Sequence, residues 1–447
     1  MAEPVRVIAH FDGNKGRVTT TAGGIPPASV PLSFLAASAI GLVACGVALI
    51  LAHSYAVVDP TEERVVGAAH FAMLATLSMG VLGALHQFIP VITKRPLRSV
   101  RLSRATFVFW LLGAWLLPLG FITRTEPVVE AGGAFAGLAV ILLVVNVSAA
   151  LLERGKGTPV VGLRFAIAGF AVTACYGVVY VMDRQAQWFD LSGRIVLAHA
   201  VVGIFGWLGL TYISVAEKLW PMFLLSHVPG RHRAGQIAVL AVPAGVLLLS
   251  PGLLFGLAWL AWCGAVGLAI GLAAHLFSLA MHIVYRRRSA DLHLLYVVTA
   301  AVWLVAGVVL ALAAVLAPGS SPHAEPALIA GAVTAFSGWL LISLLGHAYK
   351  VVPFIVWSTL RGRGIRKNAR GAPLMFADLY SHRWAAASYV LATSGTALVC
   401  LGFAFSLATA IAIGGGFFIA TGISAGVNLS FTPMKLLRRW RREQPAH

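Results

Sequence analysis

Residues 85–90 read Leu-His-Gln-Phe-Ile-Pro, residues 216–221 read Ala-Glu-Lys-Leu-Trp-Pro, and residues 348–353 read Ala-Tyr-Lys-Val-Val-Pro. Each closes a long apolar stretch, and the three prolines follow one another by 131 and 132 residues. A fixed period of this kind is the mark of a structural unit copied along the chain. Two copies share Gly206-Trp207 and Gly338-Trp339, with each Trp 14 residues before its proline; the first copy has Ala75-Thr76 there.

The rest of each period is apolar as well. Twelve stretches stand out, at about 31–53, 65–91, 105–123, 131–152, 160–181, 193–224, 235–250, 253–285, 291–317, 326–357, 383–406 and 409–431. The seventh and eighth are one run divided at the breaker Ser250-Pro251-Gly252. Of 447 residues, 59% are hydrophobic and 11% charged, whereas a soluble domain carries about a quarter charged. Nearly all of the stretches reach the length of a membrane span, which needs about 20 apolar residues. These numbers exclude a soluble enzyme, a disordered chain and a disulfide scaffold. The expected fold is all-α, a polytopic membrane protein of about twelve transmembrane helices in three pseudo-repeats of four. A pseudo-threefold axis normal to the membrane would relate the repeats. Residues 1–29 form an N-terminal tail, 30–432 the membrane domain and 433–447 a basic C-terminal tail.

The formal charge of +18 is explained by its location. Alternate connections hold the basic residues, among them Lys94, Arg95, Arg98, Arg101 and Arg104, then Arg286, Arg287 and Arg288, then Arg361, Arg363, Arg366 and Lys367. The opposite connections hold only Arg64, Arg124, Arg184 and Arg194. The positive-inside rule then puts both termini in the cytoplasm of a cell (inner or plasma) membrane. The expected partners of this charge are anionic membrane lipids, and nucleic acid is not expected. The N-terminal tail lacks the apolar core of a cleavable signal, so the first span is expected to act as the targeting signal. Cys45, Cys175, Cys263 and Cys400 stand singly in apolar segments and suggest neither disulfides nor a thiolate metal site.

The second span contains Gly67-Ala68-Ala69-His70-Phe71-Ala72-Met73, and the sixth opens with Leu197-Ala198-His199. With the threefold repeat, these resemble the haem-copper oxidase subunit I superfamily, which includes the nitric oxide reductase large subunit. The resemblance implies that His70 matches the low-spin haem ligand of that family's second helix. It also sets His199 in the zone of a copper-ligating histidine. The seventh span has no His-His pair and the tenth no His-x-His, so the family's copper site and its two tenth-helix haem ligands have no counterpart.

Of the fourteen histidines, six stand out within spans, away from tails, loops and helix ends: His70, His86, His199, His275, His282 and His347. Ionisable groups there are costly and mark functional sites by default, and imidazole is the usual proximal haem ligand. A histidine hydrogen-bonded between helices is the plain alternative for each. By depth, His70 pairs with His199 towards the outer face and His86 with His347 towards the inner face. His70 and His86 are 16 residues apart, about 24 Å in rise and about 160° in azimuth, so one porphyrin cannot use both. The expected cofactor is haem of b type, in up to two copies, with copper left open. His275 and His282, seven residues apart on one face, are a reserve metal pair. His293 reads as a residue beside a basic loop.

Four residues before the repeat prolines stand His86, Glu217 and Tyr349. Glu217 and Tyr349 are candidate proton relays; pairing of Glu217 with Lys218 is the competing reading, and Lys350 is expected to snorkel to the interface. Trp207 and Trp339 lie deep enough to pack on a porphyrin, whereas Trp188, Trp220, Trp357 and Trp384 read as belt residues. The expected function is a haem-binding membrane protein for transmembrane electron transfer or nitric-oxide-linked redox chemistry, a possible oxidoreductase fed by an external electron donor or quinol. Its rivals are a secondary transporter and a haem or copper handling protein.

Overall fold

The computed structural model describes residues 26–153, 157–186, 194–229, 233–317, 321, 324–368 and 370–443. The belt reading of Trp188 falls outside them, as do most of the N-terminal tail and the last four residues. Among the described residues, twelve helices are long and apolar enough to cross a membrane. In chain order they are α1 (Ser29–Ala56), α2 (Glu63–Thr93), α3 (Val100–Thr123), α4 (Glu126–Leu151), α5 (Thr158–Asp183) and α6 (Arg194–Leu224). There follow α7 (Ala234–Leu254), α8 (Ala258–Val284), α9 (Leu292–Leu316), α10 (Ala324–Gly362), α11 (His382–Ala404) and α12 (Ala408–Phe431). The chain is thus an all-helical polytopic membrane protein built from three four-helix repeats.

The repeat is most visible inside α2, α6 and α10, the three helices most enclosed by the others. Each contains one eight-residue π-helical segment: Phe71–Ser78, Val202–Gly209 and Thr334–Leu341. Each segment starts 19 residues before its repeat proline, so the 131/132 period of the sequence is also a period of backbone conformation. π-Turns of this kind concentrate at functional positions in helices. In the first copy the Thr76 hydroxyl donates to the carbonyl of Phe71, five residues back, along the wide turn. Leu77, Leu208 and Leu340, one from each repeat, meet at a cavity of about 80 Å³ between the three helices. The pseudo-threefold axis runs through this cavity.

The fifth residue of each π segment is small, Ala75, Gly206 or Gly338, because another helix crosses there. Gly41 of α1 lies so close that an added Cβ would stand 2.1 Å from the Ala75 carbonyl oxygen. Gly169 of α5 approaches the Gly206 carbonyl likewise, at 2.4 Å. In the third repeat the sizes are exchanged, and Trp303 of α9 packs over Gly338.

Three local expectations change. Pro90, Pro221 and Pro353 do not end their helices but lie inside them; the apolar stretch stops near each proline, while the backbone runs on into the interface. The break between α7 and α8 is at Phe255-Gly256-Leu257, with Gly256 at φ +67°, and Pro251 is accommodated inside α7. Trp220 is fully buried rather than at an interface, because it faces α8 inside the bundle.

One further regularity braces the basic end of the bundle. The fourth helix of each repeat reaches back to a serine in the connection between the second and third helices. Asn146 of α4 accepts from the Ser99 amide (2.9 Å), and Asn428 of α12 accepts from the Ser381 amide (2.7 Å). In α8 the same task falls to His282, whose Nδ1 lies 2.7 Å from the Ser226 hydroxyl.

Candidate functional site

His70 is the last residue before the π segment of α2, and His199 stands three residues before that of α6. The structure brings these two half-buried rings together, with centroids 6.4 Å apart and planes inclined by 27°. The Nδ1–H of His70 donates to the Val66 carbonyl (2.8 Å). That bond fixes the tautomer in which Nε2 keeps its lone pair, the arrangement of metal-binding histidines. His199 leaves Nδ1 buried without a partner. Phe121 of α3 flanks His70 at 5.3 Å, and an added Cβ at Gly177 of α5 would stand 3.5 Å from Cε1 of His199.

Two imidazoles held on opposite sides of one metal ion would stand about 6.4 Å apart, given a metal–nitrogen bond of about 2 Å.

The other expected pair does not form. His86 turns towards α1 and stacks on Phe34 at 5.0 Å and 22°, whereas His347 faces α6 and α9. The ring neighbours of His347 are His293 at 4.8 Å, Tyr212 at 5.6 Å and Phe223 at 6.2 Å. Depth along the helix put His86 and His347 at one level; azimuth sends them into different repeats. Both donate Nδ1–H to the carbonyl four residues back and leave Nε2 buried without a partner.

His275 and His282 do not share one ligand position either, because Trp220 packs against both, at 5.0 and 6.2 Å. His282 is occupied by the Ser226 brace, and His275 lies among Tyr212, Trp220 and Trp339 with Nδ1 unpartnered. His293, read from sequence as a loop neighbour, is 5% exposed and faces the bundle. Its position next to the charged residues Arg288 and Asp291 concealed this, since only the packing of α9 against α10 turns it inward.

Trp207 and Trp339 are core residues. Trp207 stacks on Phe170 (4.0 Å, 8°), and its indole N–H donates to the Ser78 hydroxyl of α2 (3.0 Å). Trp339 sits 5.8 Å from Tyr212 and 6.3 Å from Phe205. Glu217 has no ion pair with Lys218 among the described residues; it fills the space left by Gly235, where a Cβ would meet Oε2 at 2.0 Å, and its Oε1 is buried without a hydrogen-bond partner. Lys350 pairs with Asp291, the N-cap of α9. Tyr349 donates to the Ser388 hydroxyl (3.0 Å), which lies 2.7 Å from that of Ser424. This is a short buried hydroxyl chain between α10, α11 and α12. No family model matches the chain, and no curated protein is similar to it at a significant level.

Proposed function

We propose that this chain is a haem-binding membrane protein related to the haem-copper oxidases, working in transmembrane electron transfer or nitric-oxide-linked redox chemistry. The observation that carries the reading is the His70–His199 pair: two imidazoles from repeat-related helices with ring centroids 6.4 Å apart, which would hold a haem between them. In this reading His70 and His199 hold one b-type haem between α2 and α6. The haem supplies a one-electron couple within the membrane. The protein orients His70 through Val66, sets Phe121 beside that ring and brings Gly177 against His199. A second haem between His86 and His347 drops out of the proposal, because those rings diverge. Electrons come from an external donor or quinol, in a plasma membrane with both termini cytoplasmic.

The threefold recurrence of the π segments favours this reading over a secondary transporter, whose repeats divide the chain in two. The test is an optical spectrum of the purified protein, oxidised and reduced, beside His70→Ala and His199→Ala. A Soret band with low-spin character in the parent, lost or turned high-spin in both variants, is expected. Absence of both iron and a Soret band from the parent refutes the proposal.

A further inference from the structure

The three repeats differ sharply at one position. His347 lines the axial cavity where the other copies carry Ala84 and Val215, and all three belong to its wall. The fold therefore builds this helix position twice without an imidazole. Tyr212 likewise stands where the other repeats have Val81 and Leu344. The polar departures from threefold symmetry thus gather between α6 and α10, on the side facing α9, where His293 completes the group.

His293 and His347 are 5% and 9% exposed, and the Nε2 atom of each is buried without a hydrogen-bond partner. Two unpaired polar atoms in a membrane interior are expensive unless something occupies them. His347 is also set up as a ligand, since its Nδ1–H is tied to the Ser343 carbonyl at 2.8 Å. The rings stand 4.8 Å apart at 80° to each other. With each ring centre about 3.2 Å from a shared ion, that separation subtends about 97° at the ion, a cis angle rather than a trans one. We propose that His293 and His347 bind a copper ion, at a site separate from the His70–His199 pair.

The donor set selects the metal. Imidazole suits zinc, copper, iron and nickel, but structural zinc takes four ligands and catalytic zinc three from protein. Among the described residues no group of three or more His, Cys, Asp or Glu is placed to hold a metal. Asp291, the nearest carboxylate in sequence to His293, is held by Lys350 and by the α9 amide of Leu294. Two neutral nitrogens with an exchangeable third ligand suit Cu(I), which accepts low coordination numbers. Phe223 borders both rings, at 5.3 and 6.2 Å, while Lys350 and Arg288 stand near His293 around Asp291.

The test counts copper in the whole protein in detergent, in a Cys175→Ser/Cys263→Ser background that removes the exposed thiols. Samples are loaded with Cu(I) anaerobically, desalted against a competing chelator and analysed for metal. The parent and His70→Ala are expected to retain about one copper per chain, and His293→Ala and His347→Ala to bind at least about 100-fold more weakly. His293→Gln and His347→Gln, compared by monodisperse elution, separate ligand loss from misfolding and are expected to lose copper as well. Equal copper in parent and folded variants, no copper in the parent, or retention of zinc in preference to copper would each overturn the proposal. Haem plays no part in this count, so a parent without a Soret band would refute the haem reading and leave the copper result intact.

Discussion

Replacing Gly41 by Ala adds one carbon, and the structure fixes what it meets. The new Cβ would lie 2.1 Å from the carbonyl oxygen and 2.4 Å from the carbonyl carbon of Ala75, both backbone atoms of the α2 π segment. Neither can rotate away. Contacts under 3.0 Å are essentially never seen, so α1 and α2 must separate by at least the difference, 0.9 Å. The control is Gly416→Ala on α12, where nothing lies within 4 Å of the added atom. Both substitutions carry the same gain in helix propensity, about 1 kcal/mol, so their difference isolates the overpacking cost. That cost is about 1–3 kcal/mol, or roughly 5- to 150-fold in the folded-to-unfolded ratio. Gly169→Ala, with the Gly206 carbonyl at 2.4 Å, is expected to behave like Gly41→Ala. Reversible unfolding in mixed micelles, followed by tryptophan fluorescence, measures all three. If Gly41→Ala and Gly416→Ala unfold at the same denaturant fraction, the close crossing of outer helix and π segment is refuted.

Three further outcomes are expected. Trp207→Phe keeps the stack on Phe170 but drops the bond to Ser78, and should cost about 0.5–1.5 kcal/mol, against about 3–5 kcal/mol for Trp207→Ala; the same unfolding assay reads both, and equal losses would remove the hydrogen bond from the account. His282→Asn should keep the brace to Ser226, as Asn146 and Asn428 do in the other repeats, while His282→Leu should lose about 1–3 kcal/mol by stranding that hydroxyl; a loss of bound metal in His282→Asn would contradict the brace. Lys350→Met removes the cation beside Asp291 in a pair that is partly exposed, so a loss of no more than about 1 kcal/mol, smaller at high salt, is expected in thermal unfolding.

The spans and the repeat were legible in the sequence because both depend on one-dimensional quantities. A run of apolar residues long enough for the bilayer must become a helix, since only a helix satisfies its own backbone hydrogen bonds there. The prolines at 90, 221 and 353 announced a period that the π segments then repeat, although nothing in Phe71–Ser78 signals a π turn by itself. Heights were legible too, and His70 with His199 came out at one level. Azimuth was not. His86 and His347 share a depth, yet one turns to Phe34 and the other to His293, because the direction a side chain takes is set by the helices that pack around its own.

Charge misled for the same reason. Glu217 looked interfacial, but Gly235 opens a space for it against α7. His293, two residues from Asp291, is turned inward by the packing of α9 on α10. The sequence alone therefore determined how many helices there are and that they come in three fours, since apolar runs and their period are read along the chain. Which histidines meet was decided only by tertiary structure, because partnership depends on rotation about the helix axis, and that rotation is chosen by packing.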